Sequence, residues 1–321
     1  MVNLGYNMEV PKLFRSQHGR AVQRHTSSSS GVYFNLMGKP MPLICRLVVI
    51  CHENLCQSSI LMPYLPLEIE ELILDFLPEL EDDGSHYVSK TCSLVCKAFL
   101  PICRKHIFGS IVLNDFSKVS PPTIHAFTRL LRESPEIADY IRNLDYSIRM
   151  TDFTSPSESI QESLKRISRL EYLTVWQNWS DVDWSNNPIR PALLHLLHLP
   201  TLTHFTVGMN DFVLSDLIPC INLKYLHIGN NMTLAAKNTF PAVLPALSIR
   251  LNEFIVGIRS IRSPGDIMTL CTALRPDGQP IIDFESLTKI KVDLEDPNEC
   301  KASQELFRRC HVLTKAHISC M

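Results

Sequence analysis

A recurring apolar pattern in the second half of the chain constrains the fold more than any other feature. A leucine is followed three positions later by a large apolar residue and, after two more, by valine or isoleucine. The copies are Leu170, Leu173, Val175; Leu202, Phe205, Val207; Leu223, Leu226, Ile228; Leu251, Phe254, Val256; Leu287, Ile290, Val292; a weaker Leu313, Ala316, Ile318; and Ile141 with Leu144 at the start. Because residues two apart share one face of a strand, each copy predicts a strand with one buried face.

Helical stretches separate these predicted strands. They are clearest at residues 124–132, 160–167, 191–199, 266–274 and 302–309. Strand and helix alternating every 20 to 40 residues or so is the arrangement of a curved solenoid. We therefore expect an α/β fold in which parallel strands alternate with helices.

Three copies carry an asparagine three residues after their last apolar position, namely Asn178, Asn210 and Asn231. The combined pattern L-x-x-L-x-L-x-x-N resembles that of leucine-rich repeats. In such arrays the asparagine turns inward, and its amide satisfies backbone groups in the loop after the strand. The resemblance implies that these three residues form a structural ladder. The uneven spacing of the copies resembles an irregular array more than a regular horseshoe.

The alternate residues of these strands should line the concave face of the array. This outward set is Tyr172, Thr174, Trp176, His204, Thr206, Tyr225, His227, Glu253, Ile255, Lys289 and Lys291. Exposed aromatic residues mixed with histidine and lysine favour protein recognition, because aromatic anchors carry much of the binding energy. The alternative is an unused, solvated face. The residues predicted to bind a target are Tyr172, Trp176, His204, Tyr225, His227, Glu253 and Lys289.

Two or three short amphipathic helices are predicted ahead of the repeats, and Pro101 begins or kinks the third. The first begins near Pro66, which suits a first helical turn, and ends before Pro78. Its apolar stripe is Ile69, Leu72, Ile73, Phe76 and Leu77. The second carries Val88, Cys92, Val95, Cys96 and Phe99 at helical spacing. So small a unit has a marginal core and needs a neighbour or partner to cover its apolar surface.

These two helices resemble an F-box. Residues 65–77, reading LPLEIEELILDFL, resemble its opening helix, and residues 92–99, reading CSLVCKAF, resemble its closing helix. The resemblance implies docking on a Skp-type adaptor of a cullin–RING ubiquitin ligase, whose other subunits perform the chemistry. The residues implied to contact the adaptor are Leu65, Pro66, Ile69, Leu72, Ile73, Leu94, Val95 and Phe99. The alternative is that these residues pack only on the repeats.

Composition argues against several other classes of protein. The formal net charge of −2 predicts neither a nucleic-acid footprint nor a strong attraction to membranes. The 11 cysteines are an odd number in a long chain, which argues against a disulfide scaffold and for the reducing cytosol or nucleus. The most apolar N-terminal run, residues 43–51, is interrupted by Arg46 and is too short to cross a bilayer.

No enzyme motif is present in the sequence. The chain has no G-x-S-x-G, P-loop, G-x-G-x-x-G or H-E-x-x-H pattern, and we expect no cofactor and no bound metal. His195 and His198 lie three apart on a leucine-rich helix, where we interpret them as boundary residues and not as a metal pair. The cysteines and histidine within residues 45–56 lack the spacing of a zinc finger. A hydrolase on an α/β scaffold remains a minor alternative.

The sequence therefore predicts three regions: an N-terminal extension at 1–62, largely disordered, an F-box-like helical module at 63–113, and a leucine-rich-repeat array at 114–321. The predicted function is the substrate-recognition adaptor of an SCF-type ubiquitin ligase, partnered by a Skp-type adaptor, the cullin complex and an unidentified target protein. The alternative is a leucine-rich-repeat scaffold outside the ubiquitin system. We expect a cytoplasmic or nuclear location, with no membrane or nucleic-acid partner.

Overall fold

The chain divides into two compact units, Met1–Ile107 and Phe108–Met321. The computed structural model describes residues 2–3, 89–90, 93, 99–114, 123–148, 157–177, 183–229, 232–235, 240, 243–256, 265–294 and 297–320. In the first unit the short strand β1 (Val2–Asn3) is described, and helix α1 (Phe99–Phe108) ends where the second unit begins. Most of the predicted N-terminal extension and F-box-like module thus lies outside the described residues.

Parallel strands dominate the second unit. Its strands are β2 (Ser110–Asn114), β3 (Asn143–Ile148), β4 (Tyr172–Gln177), β5 (His204–Gly208), β6 (Tyr225–Ile228), β7 (Ile249–Arg250), β8 (Glu253–Val256), β9 (Ile282–Asp283), β10 (Lys289–Leu294) and β11 (Lys315–Cys320). Strands β2, β3, β4, β5, β6, β8, β10 and β11 lie side by side in this order, and all seven pairings between them are parallel. Strands β7 and β9 form a separate small sheet.

A repeated hydrogen-bond motif sets the register of the main sheet. The carbonyl oxygen of the residue just before a strand accepts two N–H groups, from the residue before the next strand and from that strand's first residue. The Arg142 oxygen, for example, accepts the amides of Glu171 at 2.7 Å and Tyr172 at 3.0 Å. The acceptors of this kind are Gly109, Arg142, Glu171, Thr203, Lys224, Asn252 and Thr288. Corresponding residues of successive strands are therefore aligned across the sheet.

One face of the sheet forms the core. Its two rows are at most 3% exposed: Leu144, Leu173, Phe205, Leu226, Phe254, Ile290, and Tyr146, Val175, Val207, Ile228, Val256, Val292. The leucines that begin the copies at 170, 202, 223, 251 and 287 are equally buried. Burial of a side chain of this size contributes about 1.5–3 kcal/mol relative to exposure. The apolar pattern therefore identifies the core-facing rows correctly.

Helices alternate with the strands and cover this core. Their bounds are α2 (Thr123–Glu133), α3 (Ser157–Lys165), α4 (Arg190–Leu197), α5 (Gly265–Thr272) and α6 (Pro297–Arg309), with 3₁₀ helices at Pro135–Tyr140, Trp184–Asn186 and Leu214–Leu217. Their inward leucines, such as Leu131, Leu193 and Leu306, are fully buried. The prediction of an α/β fold with parallel strands alternating with helices is confirmed. The short β5–β6 connection holds only a 3₁₀ helix, and the copies beginning at Leu202 and Leu223 are accordingly the nearest to each other in the sequence.

The last strand departs from the pattern. Ile318 on β11 is 48% exposed and Ala316 is exposed as well, although both stand at positions that are buried in the preceding strands. Crossover helices cover the sheet between successive strands. Within the described residues β11 has such a helix on one side only, so its apolar positions are half covered.

Polar side chains connect successive repeats on the helical side. Asp216 accepts two hydrogen bonds from the Arg190 guanidinium, at 2.8 and 3.0 Å, and one from the Trp184 indole at 2.6 Å. Arg275, whose side chain is 2% exposed, donates to the carbonyl oxygens of Pro245 and Leu247. These contacts join segments 26 to 32 residues apart. They hold the irregular connections against the repeats.

None of the helices in the described part of the chain combines the length and apolarity needed to cross a bilayer.

Candidate functional site

The sheet face opposite the core, which we call the open face, carries two in-register rows of side chains. The first row begins each strand and the second lies two residues later, so both point away from the core. The first row is Asn143, Tyr172, His204, Tyr225, Glu253, Lys289 and Lys315. The second is Asp145, Thr174, Thr206, His227, Ile255, Lys291 and His317. Residues that are far apart in the sequence thus form one surface.

The centre of the first row is a continuous aromatic stack. The Tyr172 and His204 rings lie 3.9 Å apart at an interplanar angle of 23°. The His204 and Tyr225 rings lie 3.8 Å apart at 8°. Stacked arrangements of this kind stabilise the pair beyond the burial of its surface. The stack therefore orders three side chains from three separate repeats into one rigid platform.

The stack remains accessible. Tyr172 is 42% exposed, and His204 and Tyr225 are half-buried. Together with Thr174, Thr206, His227, Glu253 and Ile255 these rings line a groove of about 220 Å³ that is continuous across strands β4, β5, β6 and β8. The groove is mixed in chemistry: aromatic surface at its floor, hydroxyls along the second row, and one carboxylate at its end. Such a surface suits an extended polypeptide segment better than a small rigid ligand, which needs an enclosed cavity.

The His204 ring is held by stacking between Tyr172 and Tyr225 and by a hydrogen bond at its edge. Its Nδ1 atom lies 2.8 Å from the Thr203 hydroxyl, whose oxygen is also 3.3 Å from the Glu171 carbonyl oxygen. Burial between the two tyrosine rings lowers the pKa of His204, and the Glu253 carboxylate partly offsets this effect by raising it. Because the pKa is lowered, the neutral ring predominates at neutral pH.

Trp176 extends the aromatic surface to the strand ends. Its indole covers the backbone of Gly208 at the end of β5 and of Gly229 just after β6, and an added Cβ at either glycine would overlap the ring. The His227 ring meets the indole edge-on, with centroids 6.1 Å apart at 83°. The missing side chains at the two glycines thus make the space that the indole occupies. Neither glycine was identified as important from the sequence.

His227 connects the aromatic and basic parts of the open face. Burial lowers its pKa, and the nearby Lys291 ammonium lowers it further. Like His204, it is therefore neutral at neutral pH. In the second row Ile255 separates this neutral imidazole from Lys291, so the positive charge is confined to the last strands.

The far end of the open face is basic. The Lys289 ammonium lies 3.4 Å from a carboxylate oxygen of Glu253, and Lys315 stands beside Lys289 in the first row. Lys291 and His317 stand beside each other in the second row. All four side chains are exposed. Lys315 and His317 are not among the residues that the sequence predicts to bind a target.

The opposite end of the open face carries a partly buried carboxyl group. Burial raises the pKa of Asp145. Its Oδ1 atom and that of Asn143 are inaccessible to solvent and have no hydrogen-bond partner within the described residues. Loss of solvent around a carboxyl group disfavours its ionised form. The open face therefore changes along its length from a partly buried acid, through aromatic rings, to a basic cluster.

The predicted site residues divide into those that the structure places and those that it leaves undescribed. Tyr172, His204, Tyr225, Glu253 and Lys289 lie in the first row; His227 lies in the second and Trp176 just beyond it. Their role in binding stays a prediction. The adaptor-binding residues Leu65, Pro66, Ile69, Leu72, Ile73, Leu94 and Val95 lie outside the described residues, and Phe99 is described only as the first residue of α1.

The predicted asparagine ladder is described at one position. Asn178 and Asn231 lie outside the described residues. Asn210 is half-buried in the turn after β5, where its main-chain oxygen accepts the Trp184 amide at 2.9 Å. The turn thereby joins the end of one repeat to the 3₁₀ helix Trp184–Asn186 of the preceding connection.

Metal-binding chemistry has no cluster to support it in the described part of the chain. No group of three or more histidine, cysteine, aspartate or glutamate side chains there is arranged to hold a metal ion. His195 and His198 are exposed on or beside α4, and His198 Nε2 lies 2.9 Å from the Asp216 carbonyl oxygen. The cysteines and histidine of residues 45–56 lie outside the described residues.

No protein-family model matches the sequence, and a search of curated proteins found no match.

Proposed function

We propose that this chain is a protein-recognition subunit whose open face binds a polypeptide target. The observation that carries the proposal is the accessible stack of Tyr172, His204 and Tyr225. Aromatic rings that are already ordered lose little side-chain entropy when a partner covers them, and they contribute large contact areas. Stacking alone stabilises the fold, but an accessible group of aromatic rings of this kind is also typical of protein-interaction surfaces.

The repeat character of the fold supports the same proposal. Parallel strands alternating with helices, with uneven connections and aligned strand starts, are what the resemblance to irregular leucine-rich repeats implies. Arrays of this type offer one extended, rigid face built from short contributions of many repeats. In this chain that face would be the open face.

We further propose that the recognition subunit serves an SCF-type ubiquitin ligase. The support is the F-box-like sequence within residues 63–113, whose apolar stripes need a partner to cover them. In this arrangement the module docks on a Skp-type adaptor, the open face holds the target, and ubiquitin transfer depends on proximity supplied by the complex. The catalytic groups would belong to other subunits.

Site-specific photo-crosslinking tests the role of the open face. A photoreactive phenylalanine placed at Tyr225 should crosslink a discrete protein partner, and Tyr172→Ala in the same chain should abolish the product. The matched control carries the crosslinker at Lys165 on α3, an exposed position on the helical side. The partner is then purified and its affinity measured directly. Equal crosslinking from both positions would contradict a recognition role for the open face.

Co-purification tests the link to the ubiquitin system. The wild-type chain should bind a purified Skp-type adaptor, and Ile69→Asp combined with Val95→Asp should abolish binding, because both changes put charge in the apolar stripes. Leu74→Asp, on the same predicted helix but off the stripe, is the control and should bind normally. If the wild-type chain does not bind the adaptor, the alternative of a scaffold outside the ubiquitin system is favoured.

A further inference from the structure

The basic end of the open face has an unusual arrangement of charge. Lys289 and Lys315 are register partners on β10 and β11, and so are Lys291 and His317 two residues later. Each row thus places one basic residue directly beside another. No further lysine follows on β10, where Asp293 is in register with Ser319.

The ammonium groups of Lys289 and Lys315, directly opposite on neighbouring strands, repel each other, and this repulsion costs folding stability. Glu253, 3.4 Å from Lys289, is the one carboxylate paired with the cluster among the described ion pairs, and this pair is exposed enough for water to screen it. The chain as a whole has a formal net charge of −2, so the cluster is a local feature and not the result of a basic composition. A local positive field of this kind attracts an anionic partner.

The basic cluster is continuous with the aromatic groove. Strands β5, β6, β8 and β10 are consecutive in the sheet, so Lys289 lies three strand spacings from His204 in the same row. At about 4.8 Å per spacing this is roughly 14 Å, and an extended chain advances roughly 3.3 Å per residue. A segment lying across the strands therefore covers the interval with about four residues.

We propose that the open face binds an extended acidic segment of the target protein. An aromatic or large apolar side chain of the segment packs on the Tyr172–His204–Tyr225 stack. Carboxylates about four to six residues away contact Lys289, Lys291 and, one strand further on, Lys315. The inference rests on the proposed function and adds the chemistry of the partner and the spacing of its two anchors. The basic cluster determines that the charge of the bound segment is negative, since a basic segment would be repelled there.

A peptide selection with the full-length chain tests this inference. A displayed library of random linear peptides is selected on three forms of the protein. These are the wild type, a charge-reversed variant (Lys289→Glu, Lys291→Glu, Lys315→Glu), and a control (Arg132→Glu, Lys165→Glu, Arg169→Glu). The control makes the same change in net charge at exposed positions away from the open face. Circular dichroism checks that each variant is folded.

The expected result is a bipartite consensus. The wild type and the control should select peptides with an aromatic or large apolar residue and, about four to six positions away, a run of aspartate or glutamate. The charge-reversed variant should lose at least about tenfold in affinity for these peptides and should instead select lysine or arginine. Affinity for the acidic peptides should also fall with added salt, since the cluster is exposed.

Other results separate the two proposals. Peptides whose binding depends on Tyr225 but that show no acidic preference would overturn the acidic-segment inference and leave the recognition role of the open face intact. Failure to select any peptide that Tyr225→Ala weakens would overturn both. Selected acidic peptides that bind the charge-reversed variant as well as the wild type would overturn the assignment to Lys289, Lys291 and Lys315.

Discussion

The indole of Trp176 on β4 lies directly over the backbone of Gly208 on β5, where an added Cβ would overlap the ring. The two residues are partners in the parallel register of these strands. The indole of Trp176 can therefore occupy its place only because residue 208 is a glycine.

Gly208→Ala should therefore destabilise the fold through Trp176. We expect a loss of about 1–3 kcal/mol in the free energy of unfolding, the usual cost of overpacking, measured by urea denaturation. Combining it with Trp176→Ala should remove most of this cost, and the double-mutant cycle isolates the coupling between the two positions. As a control, Gly278→Ala should lose stability through its positive φ of 80°, with no coupling to Trp176. Additive effects of Gly208→Ala and Trp176→Ala would contradict the contact.

Tyr225→Ala should weaken both folding and recognition. Loss of the ring removes one side of the His204 stack, and the stacking contribution lost is about 0.5–1.5 kcal/mol beyond that of buried area. Binding of any open-face partner should weaken more strongly, since an ordered anchor is lost. Tyr225→Phe keeps the ring and should preserve stability. A normal partner affinity of Tyr225→Ala, measured by calorimetry, would argue that binding occurs elsewhere.

Acidification should reduce stability in part through His204 and His227. Burial holds both pKa values below the ordinary 6.5, so the unfolded chain takes up protons at a higher pH than the folded chain does. Stability from these groups is therefore full above the ordinary pKa and is lost as the pH falls toward the lowered values. Glu253 moderates the effect at His204, and Lys291 strengthens it at His227.

Glutamine at both positions should flatten this pH dependence. The measurement compares the urea midpoints of wild type and His204→Gln/His227→Gln at about pH 7.5 and about pH 5.5. Thr206→Val, beside His227 in the second row and two residues from His204, removes no titrating group and should keep the wild-type slope. An unchanged slope in the double glutamine variant would mean that other groups dominate the acid response.

Asp216→Ala should be among the more damaging single substitutions on the helical side. It leaves the Arg190 guanidinium and the Trp184 indole N–H without their acceptor, and the side chains of Arg190 and Asp216 are only 24% and 10% exposed. Breaking a buried pair in this way costs about 3–5 kcal/mol. Asp216→Asn keeps one acceptor oxygen and should cost less.

The exposed pair of Arg308 and Glu305 provides a matched comparison for this prediction. The Arg308 side chain is 75% exposed, and its nitrogen lies 3.4 Å from the Glu305 carboxylate. Arg308→Ala should change the free energy of unfolding by about 0–1 kcal/mol, the usual value for a surface pair. Similar costs for Asp216→Ala and Arg308→Ala would show that the Asp216 network is not a stabilising element.

The sequence by itself determined which residues face the core. Leu173, Phe205, Leu226 and Phe254 could be assigned to one buried row because the spacing of apolar residues along a strand is a local property with a period of two. The same alternation identified Tyr172, His204 and Tyr225 as outward residues. The helices between the strands followed from apolar periodicity in the same way.

Only the tertiary structure decided which outward residues meet. The contact of Trp176 with Gly208 and Gly229, the stacking of His204 between two tyrosines, and the pairing of Lys289 with Glu253 join residues from different repeats. Such contacts depend on the lateral register of the strands and on the lengths of the irregular connections. Both are set by packing between repeats, and a local sequence pattern carries no information about that packing. The same reason applies to Asp216, whose partners lie 26 and 32 residues away along the chain.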